Sequence, residues 1–200
     1  MRLLTQETFD GMRHGAQVIE EDYYGEKVLL LEDGTYLKLF RRKSWLSKTA
    51  FFPPAKRFAA NARELARRNI PCPKVIAVYR LESPYRSVVH YRPLLGSTLR
   101  NLLDAAEENQ QHELLSGLGT FIEQLHQGGV YFRSLHFGNI VITPEGRLGL
   151  IDISDMRCLN RPLPVGMRRR NYEHLMRYSE DLEKLSDAVR VSVCQDIIRN

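Results

Sequence analysis

The first third of the chain alternates apolar and polar residues in the way that β-strands do. Strands are predicted over residues 17–22, 26–31 and 35–40. Between the last two, Asp33-Gly34 is a strong signal for a two-residue turn. In the third strand, Lys38 shares a face with Tyr36 and Phe40. The pattern leaves Lys38 either as an exposed edge residue or as a residue that points into a cleft.

After residue 54 the apolar spacing is mostly that of helices. Helices are predicted over residues 56–69, 97–106, 112–127, 169–185 and 187–198. Two strand pairs interrupt them, 74–79 with 87–91 and 139–142 with 148–151. The helix over 112–127 has the clearest apolar stripe, and Gly128-Gly129 ends it. This order predicts an α+β fold. A β-rich N-terminal lobe (residues 1–91) precedes a helical C-terminal lobe (residues 92–200), and the cleft between them is a natural ligand site.

The composition is that of a globular protein and excludes a disordered chain, with 43% hydrophobic and 26% charged residues. The formal net charge of +5 permits an anionic partner. It does not choose between a nucleotide, a phosphorylated sugar, nucleic acid and a membrane surface. Cys72, Cys158 and Cys194 are dispersed, which predicts a reducing compartment and neither a disulfide framework nor a zinc site. The N-terminus lacks the apolar segment of a signal peptide, and no run approaches the ~20 apolar residues that a membrane span needs. A cytoplasmic protein is therefore expected.

Two basic clusters, Arg41-Arg42-Lys43 and Arg168-Arg169-Arg170, are typical of solvated faces but also suit phosphates or anionic lipid headgroups. Trp45, Phe51 and Phe52 follow the first cluster, and a basic and aromatic loop suits a membrane interface. A peripheral contact with the cytoplasmic face of the inner membrane is therefore one expectation. No recognition motif for nucleic acid accompanies the charge, so no nucleic-acid partner is predicted.

The most informative segment is residues 131–155, YFRSLHFGNIVITPEGRLGLIDISD. Asn139 opens one predicted strand, and Asp152 follows the partner strand. A tight turn between the strands would bring both side chains to the same end of a hairpin. An amide oxygen and a carboxylate that converge in this way suit Mg²⁺, which prefers hard oxygen ligands. The alternative is that Asn139 caps a turn and Asp152 caps the segment that follows.

The string Phe132–Asn139 resembles the catalytic loop of the kinase-like phosphotransferases, whose small-molecule branch has the pattern His-x-Asp-Leu-His-x-Gly-Asn. Four residues match this pattern in place: Leu135, His136, Gly138 and Asn139. Asp152 matches the metal-binding aspartate of the family, and Lys38 matches its strand lysine. Over roughly residues 15–157 the chain is most similar to the bacterial lipopolysaccharide core kinases, which act on heptose and 3-deoxy-octulosonic acid, and to the related toluene-tolerance-like proteins.

This resemblance implies a protein-kinase-like fold with a shorter C-terminal end than usual. It also implies transfer of phosphate from ATP, with Mg²⁺, to a hydroxyl group of a sugar or a cell-envelope component such as the lipopolysaccharide core. Lys38 would bind the nucleotide phosphates, and Asn139 and Asp152 would bind the nucleotide and its metal. The implied partners are a nucleotide and a sugar or lipid-linked sugar acceptor.

The catalytic position departs from the family pattern. Ser134 stands where the family has the aspartate that orients the acceptor hydroxyl, and a serine hydroxyl is not a base near neutral pH. His136 titrates near neutral pH and is a candidate base, with a structural role in bracing the loop as the alternative. Ser134 and His136 are thus the candidate catalytic residues. Asp155, a further carboxylate nearby, is expected to cap a helix.

Two other features of the family pattern are not evident. The first strands carry no clear glycine-rich phosphate loop, and the partner for Lys38 is either Asn61 or Glu64, or neither. These departures leave two alternatives to the enzyme. One is a pseudokinase, a nucleotide-binding or interaction module with little catalysis. The other is a basic adaptor at a membrane surface that needs no nucleotide.

Overall fold

The computed structural model describes residues 1–41, 53–82 and 85–183 of the chain. They form two units, one of Met1–Glu64 and Cys72–Pro93 (unit 1) and one of Leu65–Pro71 and the chain from Leu94 onward (unit 2). Several predicted features lie outside the described residues. They are the basic and aromatic positions within 42–52, the end of the helix over 169–185, and the helix over 187–198.

Unit 1 is built on one six-stranded sheet. Its strands and helices, in chain order, are β1 (Arg2–Leu4), α1 (Gln6–Arg13), β2 (Gln17–Asp22), β3 (Gly25–Leu30), β4 (Tyr36–Arg41), α2 (Pro54–Arg67), β5 (Lys74–Glu82) and β6 (Tyr85–Arg92). The strand order is β1-β5-β6-β4-β3-β2, with β1 parallel to β5 and the other neighbours antiparallel. The predicted strands and a turn at Asp33-Gly34 are confirmed. The turn is longer than the predicted two residues, because the Leu31 N–H donates to the carbonyl of Thr35 at 2.8 Å and three residues lie between them. At that turn Gly34 has φ 77°, and its N–H donates to the carbonyl of Leu31 at 3.0 Å.

One face of this sheet carries an apolar core. Leu29, Leu37 and Leu39 lie on that face, and Leu4 of β1 and Phe9 of α1 pack against them. Neither β1 nor α1 was predicted, because the first fifteen residues carry charges throughout. The helix nevertheless begins at a proper cap, since the Thr5 hydroxyl accepts the N–H of Thr8. A single buried residue, Phe9, then anchors it to the sheet.

The opposite face of the sheet carries Lys38. Val28 and Val89 flank Lys38 in the neighbouring strands, and both are buried. On the same face Tyr91 packs against Phe58 of α2, with ring centroids 5.2 Å apart. Lys38 is half-buried and lies on the sheet face that α2 covers, opposite the face that α1 covers.

Unit 2 contains most of the helices. Its elements are β7 (Ser97–Thr98), α3 (Leu99–Ala105), α4 (Glu108–Leu115), α5 (Leu118–Gln127), β8 (Val130–Tyr131), β9 (Ile140–Ile142), β10 (Leu148–Leu150), β11 (Arg157–Cys158), α6 (Val165–Leu175) and α7 (Ser179–Glu183). The strands pair as β10-β9-β7 and as β11-β8. Strands and helices thus combine in an α+β, protein-kinase-like fold, as the sequence predicts. In the described part of the chain, no helix has the length and apolar character that a membrane span needs.

Three predicted helices of unit 2 have different bounds in the structure. The helix over 112–127 is two helices, α4 and α5, because the Ser116 hydroxyl donates to the carbonyl of Glu113 at 2.7 Å and Gly117 starts the next helix. The segment 97–106 begins as a short strand, and the helix α3 follows it. The segment 169–185 holds the end of α6 and the separate helix α7.

The β9–β10 hairpin is close to its predicted bounds. Its turn at Pro144-Glu145-Gly146 is confirmed, with Gly146 at φ 74° and its N–H bonded to the carbonyl of Thr143 at 2.9 Å. Outside the turn, the Leu150 N–H donates to the carbonyl of Pro71 at 2.9 Å. A Cβ at Gly149 would lie 2.6 Å from that carbonyl oxygen, so the close approach requires glycine there.

Candidate active site

Buried apolar side chains anchor the loop that leads from β8 to β9. Phe132, Leu135 and Phe137 are each exposed by 1% or less. Between them, Ser134 and His136 are half-buried. The apolar residues thus alternate with the two candidate catalytic residues, and this alternation fixes the side of the loop on which those residues lie. Phe132 fills the position of the family's loop histidine as part of the core.

Two buried polar side chains from the C-terminal helices hold the backbone of this loop. The Asn171 amide of α6 accepts the N–H of Phe132 at 3.3 Å and donates to the carbonyl of Val130 at 3.5 Å. The Asp181 carboxylate of α7 accepts the N–H of Phe137 at 3.2 Å. It also accepts two bonds from Arg100 of α3, at 2.5 and 3.0 Å. The loop is therefore tied to three helices of unit 2.

His136 has the contacts of a bracing residue. Its Nδ1 accepts the N–H of Gly138 at 3.1 Å, and its ring packs on Tyr178 with centroids 4.5 Å apart. Burial lowers the pKa of His136 below its ordinary value, and the charge of Arg100 lowers it further. The neutral ring then carries its proton on Nε2, while the lone pair on Nδ1 is engaged. The geometry thus favours the bracing role over the base.

Asn139 lies at the end of a 3₁₀ turn, Phe137–Asn139, and is buried. Its Nδ2 donates to the carbonyl of Ser134 at 2.9 Å, which fixes the orientation of the amide. The cap of this turn is His136 and not Asn139. With Nδ2 used as a donor, Oδ1 is the end of the amide that can coordinate a cation.

Asp152 follows β10 and lies at the same end of the hairpin as Asn139. The register pairs Leu150 with Ile140, and the Ile151 N–H donates to the carbonyl of Asn139 at 3.0 Å. Asp152 has a left-handed backbone, with φ 49° and ψ 45°, and its side chain makes no capping bond to the 3₁₀ turn that follows. Such strain in a residue other than glycine is typical of functional sites. The Asp152 carboxylate is thus exposed and does not cap the turn that follows it.

The pair of Asn139 and Asp152 fits Mg²⁺ as a donor set. This cation is usually held by one or two protein oxygens, and waters and phosphate oxygens complete its octahedral shell. An amide oxygen and a carboxylate at one hairpin end supply such a start. The described residues contain no group of three or more His, Cys, Asp or Glu side chains that could hold a metal by themselves. A cation bound here would therefore complete its shell with waters or with the phosphate oxygens of a ligand.

Ser134 contacts a carboxylate that the sequence assigned to another role. Its Oγ donates to Oδ2 of Asp155 at 2.6 Å. The expectation that Asp155 caps a helix is wrong, because Asp155 ends the 3₁₀ turn Ile153–Asp155 and its carboxylate accepts the serine hydroxyl. No local pattern reveals this contact, since the two residues are twenty-one positions apart. Their closeness follows only from the hairpin between them.

The family model described as the phosphotransferase enzyme family (APH) matches residues 16–130, more than half of the chain. The chain belongs to this family. Members of the APH family have the protein-kinase-like fold and generally use ATP and Mg²⁺. No curated protein matches the chain. The match to the APH model ends just before Tyr131, so the roles of Ser134 and Asp152 rest on the loop resemblance and on the geometry described above.

Proposed function

We propose that the protein transfers the γ-phosphoryl group of ATP, with Mg²⁺, to a hydroxyl group of a sugar or another cell-envelope component. The observation that carries this proposal is the β9–β10 hairpin. It sets the Asn139 amide and the Asp152 carboxylate at one end, next to an anchored loop that presents Ser134. Membership of the APH family supports phosphoryl transfer as the general chemistry.

Each residue has a defined task in this reaction. Lys38 binds the phosphates of the nucleotide, and Asn139 and Asp152 hold Mg²⁺. When bound, the cation neutralises the charge that develops on the phosphate oxygens. Ser134 contacts the acceptor hydroxyl, whose oxygen forms the new bond to phosphorus. The bond from that phosphorus to the bridging oxygen breaks, ADP leaves, and the proton of the acceptor hydroxyl passes to solvent water.

The acceptor class comes from the resemblance of roughly residues 15–157 to the lipopolysaccharide core kinases. A phosphorylated or acidic core sugar also suits the formal charge of +5. We therefore propose a lipid-linked sugar acceptor, reached from the cytoplasm by peripheral contact with the membrane. Transfer of label from [γ-³²P]ATP to purified core oligosaccharide tests this proposal directly. Absence of transfer to core oligosaccharide, together with transfer to another hydroxyl acceptor, would remove the acceptor and keep the chemistry.

Nucleotide binding is tested by thermal unfolding. A ligand that binds only the folded state stabilises it by about 2.7 kcal/mol at 100 times its dissociation constant. We expect millimolar ATP to raise the melting temperature, and Mg²⁺ to increase the shift. Asp152→Ala should lose the Mg²⁺-dependent part, whereas Asp10→Ala, at an exposed carboxylate of α1, should keep it. An unchanged melting temperature of the parent protein with ATP and Mg²⁺ would refute the nucleotide site.

Ser134 favours a second candidate function, a pseudokinase that binds nucleotide without rapid transfer. Base assistance in enzymes contributes typically ~10²–10⁴-fold, and a serine alone does not supply it. In this case ATP with Mg²⁺ would still stabilise the protein, but neither water nor a sugar would accept phosphate. Turnover measured beside binding therefore separates the two functions.

A further inference from the structure

We propose that Asp155 replaces the missing catalytic carboxylate by acting through the hydroxyl of Ser134. Ser134 is then the group that contacts the acceptor hydroxyl, and Asp155 is the residue that positions it. This inference rests on the phosphotransferase function proposed above. It adds to that function a polar pair in which Ser134 occupies the aspartate position of the family's loop pattern and Asp155 lies outside that pattern.

The direction of the hydrogen bond gives Ser134 the polarity of a carboxylate. A serine hydroxyl has one proton and two lone pairs. The proton of Ser134 is committed to Oδ2 of Asp155 at 2.6 Å, a length typical of a bond to an ionised acceptor. Only lone pairs remain for a further partner, so the Ser134 oxygen can accept a bond from a hydroxyl but cannot donate one. An aspartate at position 134 would offer the same polarity.

The second oxygen of Asp155 is buried and has no hydrogen-bond partner among the described residues. A buried acceptor without a partner lowers stability, and a group of this kind in a folded protein calls for an explanation. Among the described residues, the Asp155 carboxylate thus accepts a single hydrogen bond, the one from Ser134. A role in setting the Ser134 hydroxyl accounts for a carboxylate that is held in this way.

The bond between Ser134 and Asp155 is not required to hold the loop. Asn171 and Asp181 already bind its backbone on either side of position 134. The carbonyl of Ser134 is also fixed, by Nδ2 of Asn139. What the Asp155 contact adds is the orientation of the hydroxyl itself. The contact is thus suited to the chemistry at Ser134 more than to the shape of the loop.

The charged groups near Asp155 include a reporter for its ionisation. Burial lowers the pKa of His174, the charges of Arg177 and Arg133 lower it further, and the charge of Asp155 opposes them. His174 lies on α6, and its Nε2 is 3.4 Å from the hydroxyl of Tyr131. Its titration therefore senses whether Asp155 carries a negative charge in the folded protein, without any need for turnover.

The kinetic experiment uses hydrolysis of ATP in the presence of Mg²⁺, with water as the acceptor, and a double-mutant cycle. We expect Ser134→Ala and Asp155→Asn each to lower kcat about 10²-fold while the KM for ATP stays unchanged. The two changes together should cost no more than either alone, because residues that act as a unit are non-additive. Asp10→Asn is the matched control, since it removes an exposed carboxylate of α1 and should keep the parental kcat.

A rescue variant tests whether a carboxylate at position 134 can replace the pair of Ser134 and Asp155. Ser134→Asp alone places a carboxylate against Asp155, and the two like charges oppose one another, so little gain is expected. In Ser134→Asp combined with Asp155→Asn, the new carboxylate faces an amide that can donate to it. This double variant should recover kcat to within about tenfold of the parent protein. A double variant as slow as Ser134→Ala would overturn the proposal.

The binding-independent experiment follows the His174 ring by NMR in the parent and in Asp155→Asn. Loss of the nearby negative charge should lower the pKa of His174 further. An unchanged titration would mean that Asp155 is neutral or remote, and the pair could not act as proposed. Failure of this inference and failure of the function are distinguishable. If the parent protein hydrolyses ATP and Asp155→Asn is equally active, the inference is overturned and the proposed function stands. A parent with no turnover on water, on core oligosaccharide or on any other hydroxyl acceptor overturns both.

Discussion

Asp181→Asn is the substitution that should most weaken the loop of the candidate active site. The Asp181 side chain is 1% exposed and accepts three hydrogen bonds, two from the Arg100 guanidinium and one from the backbone of Phe137. An amide at this position keeps one acceptor oxygen, but its NH₂ group then faces a donor. The variant thus removes the negative charge that Asp181 presents to Arg100, and at least one of the three donors loses its present acceptor.

The cost follows from these contacts. Removing one member of a buried ion pair costs about 3–5 kcal/mol, and an unpaired buried N–H costs about 1–3 kcal/mol. The Arg100 side chain is 28% exposed and regains some hydration, which reduces the first figure. We expect a loss of about 3 kcal/mol in the free energy of unfolding. For a chain of this length, that corresponds to a fall of about 6–12 °C in the melting temperature.

Urea unfolding followed by circular dichroism measures this loss, and hydrogen exchange of a peptide over residues 131–139 reports on the loop itself. The control is Glu173→Gln, which removes an exposed pair with Arg169 on α6, 3.6 Å apart. Pairs of this kind are worth about 0.3–0.5 kcal/mol. An Asp181→Asn protein that loses less than about 1 kcal/mol, with unchanged exchange in the loop, would refute the assigned role of this carboxylate.

Two further predictions concern titratable groups whose pKa values burial shifts. Burial lowers the pKa of His126 from 6.5 to about 4, so the unfolded chain takes up the proton first as the pH falls. The free energy of unfolding should therefore decrease by about 2–3 kcal/mol from pH 6.5 to pH 4. In His126→Phe, which keeps the ring contact with Tyr172, the midpoint of urea unfolding should depend less on pH. Burial raises the pKa of Cys72 from 9.0 to about 11. Iodoacetamide at pH 8 should therefore alkylate Cys72 about 10²-fold more slowly in the folded protein than in the urea-unfolded chain, a difference that peptide mass spectrometry measures. Equal rates in the two states would contradict the burial of this thiol.

The features that could be predicted from the sequence are those set by local chemistry. Asp33-Gly34 and Pro144-Glu145-Gly146 are turns because their residues supply the required backbone conformations, and the strands on either side follow from alternation. The approach of Asn139 and Asp152 to one hairpin end follows from that turn. The β-rich first part of the chain and the helical part after it could be predicted because the spacing of apolar residues changes near residue 54 from that of strands to that of helices.

The features that the sequence did not predict depend on competing hydrogen bonds or on contacts between residues far apart in the chain. The apolar stripe over 112–127 continues through Ser116-Gly117, so its period alone gives no sign that a serine hydroxyl ends one helix and a glycine starts the next. The Ser134–Asp155 bond and the Arg100–Asp181 pair join residues twenty-one and eighty-one positions apart. Such partners are brought together by tertiary packing, and no periodicity in a single sequence encodes them.

At Ser134, where the family has its catalytic aspartate, the loop backbone is held without any use of the side chain. The backbone around residue 134 is held by Asn171, Asp181 and Asn139, and none of these contacts uses the side chain at 134. A change from carboxylate to hydroxyl there leaves the anchored loop and the hairpin end unaltered. The chemistry depends instead on what the hydroxyl contacts. Because the hydroxyl contacts the Asp155 carboxylate, the site keeps a negative charge, which lies one hydrogen bond further from the acceptor than an aspartate at position 134 would place it. Nucleotide binding is therefore expected to tolerate changes at Asp155, whereas the rate of transfer is not.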